Sequence, residues 1–267
     1  MTPDPEALAR LVAAALPDEG LTAADLETCC FGPDTEVLGD ATAAAALLLR
    51  RFGDSAFASL LLLAVHPDAQ RRGLGRHLVH EAAARARAAG APDLHLAMAM
   101  PRYVWPGVDF AHTAALALFE AEGFESSGAA CNMGIATSFR AAPPAGVVVA
   151  HEHTAGAVDL ARRAYPHWID EVERGTAAGG CFAARVGPDT IGFACHSVNR
   201  RAWIGPMATD PQRQHGGVGN ALLAAVCEDL EARGEPVGDI AWVGPVGFYA
   251  KAGARVSRVF RNARLTL

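Results

Sequence analysis

The chain has 267 residues, of which 51% are apolar, and this is enough material for two hydrophobic cores of ordinary size. Its 23 basic and 29 acidic side chains give a formal charge of −6, and neither half is basic, which argues against a nucleic-acid partner. The sequence opens without a basic stretch ahead of an apolar one, and no apolar run is long enough to cross a membrane. We therefore expect a cytoplasmic protein with no membrane partner, whose six cysteines are reduced thiols.

The first half combines helices with a predicted sheet. Asp4-Pro5-Glu6 is typical of a helix start, because aspartate can cap the helix and proline suits its first turn. The later elements, in chain order, are a short helix at 23–28, a hairpin of strands at 36–39 and 42–50, a long strand at 55–65, a helix to about 90, a strand at 94–98, a helix at 112–122 and a strand at 124–137. No strand precedes the first helix, so this sheet is either one strand short or borrows one from its neighbour.

A linker with paired prolines at 140–146 separates the halves, because proline continues neither a helix nor a central strand. The predicted elements beyond it are a strand at 147–151, helices at 155–164 and 168–174, strands at 181–186, 190–197 and 202–209, a helix at 217–233, a strand at 239–243, a short helix at 245–252 and a strand-like tail at 255–267. Hairpins followed by a β-α-β-α-β unit indicate a mixed α/β fold. The predicted domains are 1–140 and 145–267.

The two halves are related by an internal duplication. The pattern Gln-x-x-Gly-x-Gly begins at Gln70 and returns at Gln214, and the helix-ending glycine at position 90 returns at position 234, both at an offset of 144 residues. Further on the offset falls to 130, so that Phe119 corresponds to Tyr249. A framework that repeats with only its loop lengths changed indicates two copies of one domain.

Each repeated pattern joins a buried strand to a helix through glycines, an arrangement that lets backbone N–H groups approach an anionic ligand. A Rossmann dinucleotide turn is one interpretation, but its first glycine follows the strand almost directly and a third glycine comes three residues after the second. Here polar residues separate the strand from Gly73, and leucines occupy positions 78 and 222. These differences disfavour the Rossmann interpretation.

The pattern strand-[V/T]-x-P-x-x-Q-x-x-G-x-G-helix resembles the acyl-CoA-binding motif of the GNAT superfamily of N-acyltransferases, and residues 118–124 and 248–254 are similar to that superfamily's last helix and turn. The resemblance implies two GNAT-like domains in tandem, each a central mixed, mostly antiparallel sheet flanked by helices. It also implies acetyl-CoA as cofactor, with its pyrophosphate on loop N–H groups and its pantetheine arm along the strand ends. The implied cofactor-binding residues are Leu63, Ala64, Val65, Gln70, Arg71, Arg72, Gly73, Leu74, Gly75 and Arg76 in the first half, and Met207, Ala208, Thr209, Gln214, His215, Gly216, Gly217, Val218, Gly219 and Asn220 in the second.

The number of cations differs between the two loops. The first has three arginines at positions 71, 72 and 76, whereas the second has Arg213 and His215. Charge-assisted contacts to phosphate are the stronger kind, so the first site is expected to bind CoA more tightly.

Only one half carries the tyrosine that the resemblance assigns as proton donor to the departing thiolate. Tyr249 occupies this place in the second half, and Phe119 occupies it in the first, so the second half is expected to be catalytic and the first degenerate. A packed, structural tyrosine is the alternative. The superfamily's Asn-x-x-Ala-x-x-x-Tyr pattern is incomplete in both halves: the second has Trp242 and Pro245 in the first two places, and the first has His112 and Ala115.

The general base is left open between two residues. His196, late in a strand, titrates near neutral pH and is the candidate that we include among the catalytic residues, although a structural histidine is the alternative. Asp210, which follows the next strand, is the other candidate. His151-x-His153 resembles a metal pair, but no third ligand is evident, so no metal is expected.

The expected reaction is transfer of an acetyl group to the primary amine of a small molecule, by a monomer or homodimer. A non-catalytic acyl-CoA sensor is the alternative function. The insert at 98–109 could cap a pocket with Tyr103 and Trp105 or fill a gap between domains.

Overall fold

The structure is a computed structural model that describes residues 2–53, 55–97, 99–213 and 216–267. It contains two compact units, each with a mixed sheet flanked by helices, which confirms the expected fold class. Unit 1 comprises the chain up to Ala130 together with Val259–Leu267, and unit 2 comprises Cys131–Arg258.

The elements follow the sequence prediction closely through the first half. They are α1 Pro5–Ala15, α2 Ala23–Cys30, β1 Thr35–Gly39, β2 Ala43–Phe52, β3 Ser55–Val65, α3 Leu74–Ala88, β4 Asp93–Leu96, β5 Val108–Asp109, α4 Thr113–Ala121 and β6 Glu125–Ala136. Helix α1 begins where expected because the Asp4 side chain accepts a hydrogen bond from the Ala7 N–H. Helix α2 begins with a reciprocal capping box between Thr22 and Asp25.

The second half repeats this order behind an additional first strand and has no counterpart of β5 among the described residues. Its elements are β7 Val148–His151, α5 Gly156–Ala164, α6 Ile169–Ala177, β8 Cys181–Val186, β9 Asp189–His196, β10 Trp203–Thr209, α7 Val218–Ala232, β11 Val237–Ile240, α8 Val246–Lys251 and β12 Arg255–Thr266. Strand β7 pairs with β8 at the edge of unit 2, whereas β1, the counterpart of β8, is the outer strand in unit 1. Among the described residues, unit 1 is therefore one strand short at that edge.

Both sheets are mostly antiparallel. Within unit 1 the order is β1-β2-β3-β4-β12, and within unit 2 it is β6-β11-β10-β9-β8-β7. The parallel pairs are β3 with β4 and β10 with β11, each joined through a crossover helix, α3 or α7. In each unit the glycine loop joins the first strand of the parallel pair to the start of the crossover helix.

Successive side chains of β9 point to opposite faces of the unit 2 sheet. Ala194 packs in a core with Leu222 and Val226 of α7, whereas Phe193 and Cys195 pack in another core with α5 and α6. In unit 1, α3 covers the corresponding face with Leu78, Val79 and Ala82 in one cluster with β2 and β3. The crossover helix is thus anchored by an apolar face along its length.

The last strand of each half contributes residues to both compact units. The second part of β6 (133–136) pairs with β11 in unit 2, and the last part of β12 (264–266) pairs with β4 in unit 1. Each of these strands therefore begins in one compact unit and ends in the other. The predicted boundaries at 1–140 and 145–267 follow the chain, whereas the compact units follow the strand pairing.

Candidate functional site

In both units the strand before the glycine loop separates from its parallel neighbour. Strand β10 pairs with β11 only at Trp203 and Ile204, although it continues to Thr209. Strand β3 pairs with β4 only at residues 58–60 and continues to Val65. The strand ends therefore present backbone N–H and C=O groups along an open edge, as an extended ligand arm requires.

A register shift marks the start of each divergent segment. On β3 the pairing with β2 shifts at Leu61, and on β10 the pairing with β9 shifts between Ile204 and Met207. The predicted pantetheine-binding residues lie just beyond these shifts; they are Leu63, Ala64 and Val65 on β3, and Met207, Ala208 and Thr209 on β10. The Thr209 carbonyl accepts a hydrogen bond from the Tyr165 hydroxyl at 2.7 Å, which steadies the end of β10.

The first glycine loop presents a series of free backbone donors. Residues 71–76 donate no backbone hydrogen bond to any described residue, and Gly73 begins α3 with a φ of +86°. A Cβ at Gly73 would meet nothing within 4 Å, so the space above this turn is open. Arg71 also has a positive φ, 62°. Consecutive N–H groups in such a turn, at the positive end of a helix dipole, form an anion site.

The second loop has the same start. Gly217 begins α7 with a φ of +81°, and residues 216–220 donate no backbone hydrogen bond to a described residue. The predicted cofactor-binding residues Gly216, Gly217, Val218, Gly219 and Asn220 lie along this start. Gln214 and His215, also predicted to bind the cofactor, lie outside the described residues.

The second glycine of each loop has a packing role. A Cβ at Gly75 would come within 3.2 Å of Leu118 on α4, and a Cβ at Gly219 within 3.2 Å of Phe248 on α8. The glycines therefore let the last helix of each unit approach the loop closely. Phe119 and Tyr249 are the residues that follow Leu118 and Phe248 in these helices.

Two of the predicted cofactor contacts have protein partners. The Gln70 side chain donates to the Val65 carbonyl at 3.1 Å, so it ties the loop to the strand end. The Arg76 guanidinium donates to Glu122, and this bond, with His80 beside it, holds the pKa of that carboxyl below its usual range. Arg71 and Arg72 are exposed, with no ion pair to a described residue, so two of the three expected cations are available to a phosphate.

Tyr249 is buried in the core of unit 2, on the face covered by α7. Its exposed fraction is 7%, and its ring meets that of Phe248 edge to face at 4.9 Å. Burial raises its pKa to about 12 because the ionised form would lose its hydration. Its hydroxyl forms no hydrogen bond with a described residue, and it remains protonated at neutral pH.

His196 lies far from the glycine loop, which argues against its predicted role as base. It pairs across the sheet with Ile204, at the start of β10, and the loop follows the other end of that strand. Its side chain is fully buried, with Nε2 2.8 Å from Asp229 Oδ2 and Nδ1 3.1 Å from Ser197 Oγ. Asp229 is 12 residues along α7 from Gly217, about 18 Å at 1.5 Å per residue.

The surroundings of His196 also disfavour the charged form of its imidazole. Burial lowers its pKa, and the nearby carboxylate only partly opposes that effect. Asp210, the alternative base, accepts the Gln212 N–H at 3.0 Å and lies 3.5 Å from the Arg163 guanidinium. Asp210 directly follows β10 and lies near the second glycine loop, whereas His196 lies at the other end of that strand.

The divergent strands of unit 1 border a cleft that contains about 560 Å³ of space not filled by protein atoms and partly open to solvent. Its lining is mainly apolar, with Phe119 and Trp105 among the side chains. Trp105 belongs to the predicted insert, so part of this insert lines the cleft of its own unit. Met98, the first residue of the insert, lies outside the described residues. Because Phe119 lines this cleft, the position of unit 1 that corresponds to Tyr249 faces it.

Glu19 is a polar residue beside this cleft that sequence reasoning did not identify. Its carboxylate accepts from the Trp105 indole N–H at 2.8 Å and lies 3.0 Å from His112 Nε2. The Glu19 side chain is 3% exposed and that of His112 is 32% exposed. Little in the sequence indicated this pair, because Glu19 lies in a short 3-10 turn, Pro17–Glu19, 93 residues before His112.

No helix among the described residues is both long and apolar enough to cross a bilayer. Within the same residues, no group of three or more His, Cys, Asp or Glu side chains is arranged to hold a metal ion. The cysteines are free thiols, most of them buried.

Comparison with known families gives a match in each half of the chain. Residues 34–126 match an acetyltransferase (GNAT) domain, and residues 149–253 match the acetyltransferase (GNAT) family. No curated protein sequence matches the chain.

Solved structures with this fold span nearly the whole chain. A GCN5-related N-acetyltransferase from Sphaerobacter thermophilus is 20% identical, with a TM-score of 0.68, and the match covers 99% of this chain and 94% of that one. A tandem GNAT protein from the clavulanic acid biosynthesis pathway is 18% identical, with a TM-score of 0.71 and coverages of 98% and 95%.

A third structure contains the fold within a larger chain. This fungal multi-domain GH3 β-N-acetylglucosaminidase has a GCN5-related glucosamine N-acetyltransferase region and is 16% identical, with a TM-score of 0.76. The match covers 98% of this chain but 37% of the fungal chain, so the present chain spans little more than a third of it. At these identities the similarities show the fold.

Proposed function

Because the chain belongs to the GNAT acetyltransferase family, with two of its domains in tandem, we propose that unit 2 transfers an acetyl group from acetyl-CoA to the primary amine of a small molecule. Tyr249 is the general acid in this proposal. The chain is an acyltransferase; the acceptor, the donor and the residues that perform the transfer are the proposed part.

The observation that carries the proposal is the difference between Tyr249 and Phe119. These residues occupy the same place in the two copies, next to the side chain that packs on the second loop glycine. Only the tyrosine has a proton to donate. Its pKa of about 12 keeps the hydroxyl protonated over the whole physiological range, so the donor is always in the form that the step needs.

The residues of each glycine loop fit the diphosphate of CoA. Free N–H groups at the start of a helix, a turn with open space above Gly73 and the exposed Arg71 and Arg72 together favour a phosphorylated ligand. The cofactor supplies the activated acyl group when bound. The segment 207–209 is suited to orient the arm that leads to that group, because its backbone has no β11 partner.

Tyr249 and a strand-end N–H have different tasks in the transfer. A backbone N–H near Ala208 would stabilise negative charge on the carbonyl oxygen, a contact inferred from family resemblance. Tyr249 would protonate the departing sulfur. His196 has no part in this proposal, and solvent or Asp210 would receive the amine proton.

A small amine acceptor is supported by the fungal protein, because its GCN5-related region is a glucosamine N-acetyltransferase and glucosamine is an amino sugar. The first unit would bind CoA without acetyl transfer to this acceptor, because it lacks the tyrosine. A non-catalytic acyl-CoA sensor is the second candidate, supported by the burial of Tyr249 in a packed core.

Turnover separates these two functions. We expect free thiol to accumulate when the full chain is mixed with acetyl-CoA and a panel of primary amines that includes amino sugars, and the amide to appear by mass spectrometry. A sensor would bind acetyl-CoA in calorimetry without releasing thiol faster than spontaneous hydrolysis, and that result would refute the proposed function.

A further inference from the structure

The cleft of unit 1 is built for a larger apolar group than acetyl. Its walls include Leu16 from the end of α1, leucines of β3 at 60–63, Leu96 from β4 and Trp105 from the covering insert. The pantetheine arm would contact this wall at Leu63, and an acetyl group would leave most of the remaining apolar surface in contact with water or empty space. Longer apolar chains bind more tightly in such a cleft, because each additional buried methylene contributes.

The polar groups at the cleft form an oriented pair. Glu19 is held by the Trp105 indole N–H at one oxygen and by His112 Nε2 at the other, and an ionised carboxylate can only accept hydrogen bonds. With Glu19 ionised, the His112 tautomer that carries the hydrogen on Nε2 can donate to it. In the neutral ring this leaves Nδ1 with its lone pair, which is the arrangement of a general base positioned by a carboxylate.

The two units differ reciprocally at the last helix. Where unit 1 has His112 and Phe119, unit 2 has Trp242 and Tyr249, at the common offset of 130 residues. His112 and Phe119 both line the unit 1 cleft. Each copy therefore carries one side chain able to transfer a proton. In unit 1 it is at the first of the two positions, and in unit 2 it is at the second, seven residues later.

We propose that the unit 1 cleft is a second acyl-transfer site, which takes a CoA thioester with an apolar acyl chain longer than acetyl and uses His112, positioned by Glu19, as general base. The proposal rests on the binding of CoA to the first glycine loop, which is part of the proposed function. The amine nitrogen attacks the thioester carbonyl carbon, the C–S bond breaks and an amide forms. The amine proton passes to His112 and from there to the departing thiolate, so the products are the amide and free CoA.

The experiment uses the full chain with Gly217→Asp, which places a carboxylate at the start of α7 and removes CoA binding by unit 2. In this background calorimetry should show one binding event, tighter for hexanoyl-CoA than for acetyl-CoA by about tenfold or more. Thiol release with hexanoyl-CoA and the amine panel should persist. Adding His112→Gln should lower kcat about 10²-fold while hexanoyl-CoA affinity changes less than about twofold.

Further variants separate catalysis from support of the fold. His112→Ala should regain part of the lost rate when imidazole is added, and Glu19→Gln should lower kcat with little change in hexanoyl-CoA affinity. The matched control is His167→Gln, an exposed histidine in unit 2, which should change neither quantity. A fall in melting temperature without a change in kcat would assign His112 and Glu19 to the fold alone and overturn the proposal.

The outcomes also distinguish this inference from the proposed function. If the Gly217→Asp protein binds hexanoyl-CoA but releases no thiol, the second site is overturned while unit 2 activity in the parent stands. If that protein binds no CoA thioester, the first loop does not hold CoA and the second site is again overturned. Absence of acetyl transfer in the parent would instead refute the proposed function.

Discussion

Substitution of Tyr249 by phenylalanine removes one hydroxyl group from the core of unit 2. Since that hydroxyl has no hydrogen-bond partner among the described residues, the free energy of unfolding should change by no more than about 1 kcal/mol. The affinity for CoA should also be retained, because the loop and strand backbone are untouched. The expected loss is therefore confined to the proton-transfer step.

The size of that loss follows from the pKa of Tyr249. At about 12 it lies roughly three units above that of an ordinary thiol, so proton donation to a free thiolate is uphill. General acids contribute about 10²- to 10⁴-fold, and an unfavourable proton transfer places Tyr249 near the lower limit. We expect kcat to fall about 10²-fold, or roughly 2.7 kcal/mol at about 1.36 kcal/mol per tenfold.

The assay is thiol release from acetyl-CoA with the best amine of the panel, with CoA affinity measured by calorimetry on the same samples. The matched control is Tyr103→Phe, a buried tyrosine of unit 1, which should leave unit 2 turnover unchanged. Equal kcat values for the Tyr249→Phe protein and the parent would refute the general-acid role. A parallel loss of CoA affinity would show that the tyrosine acts through packing.

Three further predictions concern other parts of the chain. Gly73→Asp should abolish one of two CoA-binding events in calorimetry while leaving most acetyl transfer, because the added carboxylate repels phosphate in unit 1 only; loss of all acetyl transfer would contradict the division of roles. Desolvation raises the pKa of Glu171 from 4.5 to about 8, so the folded protein retains a proton that the unfolded chain releases, and stability should fall by on the order of 5 kcal/mol as pH rises through this window. Thermal unfolding at several pH values should show a flatter profile for Glu171→Gln, and an unchanged slope would refute this assignment. His196→Gln should lower the free energy of unfolding by about 1–3 kcal/mol through the loss of its contact with Asp229, with kcat retained; a large fall in kcat at unchanged stability would restore His196 as a base.

Local patterns explain why the elements could be predicted. The capping residues before α1, the apolar run of β3 and the glycines that start α3 and α7 act on neighbours within a few residues, and the observed bounds lie close to those expected. The repeat has an offset of 144 residues from the glycine loop to the end of the following helix, so the same prediction applies to both halves there. Because loop and strand belong to one continuous segment, the free N–H groups at Gly73 and Gly217 were also foreseeable.

Residues distant in sequence could not be assigned in this way. His196 was a reasonable base from its residue type and strand position, but only the register of β9 on β10 shows that it lies at the far end from the loop. Gln70 belongs to the loop motif, yet its amide bonds the Val65 carbonyl. The role of each side chain depends on its neighbours across the sheet.

The amino-acid sequence alone determined the duplicated framework, the family resemblance and the contrast between Tyr249 and Phe119, since these depend on local pattern and spacing. The tertiary structure decided that β6 and β12 each complete a sheet in the other compact unit, and that Glu19 meets His112 across 93 residues at a cleft. Strand pairing and burial act between segments that are distant in the chain, and a one-dimensional pattern does not record which segments come together.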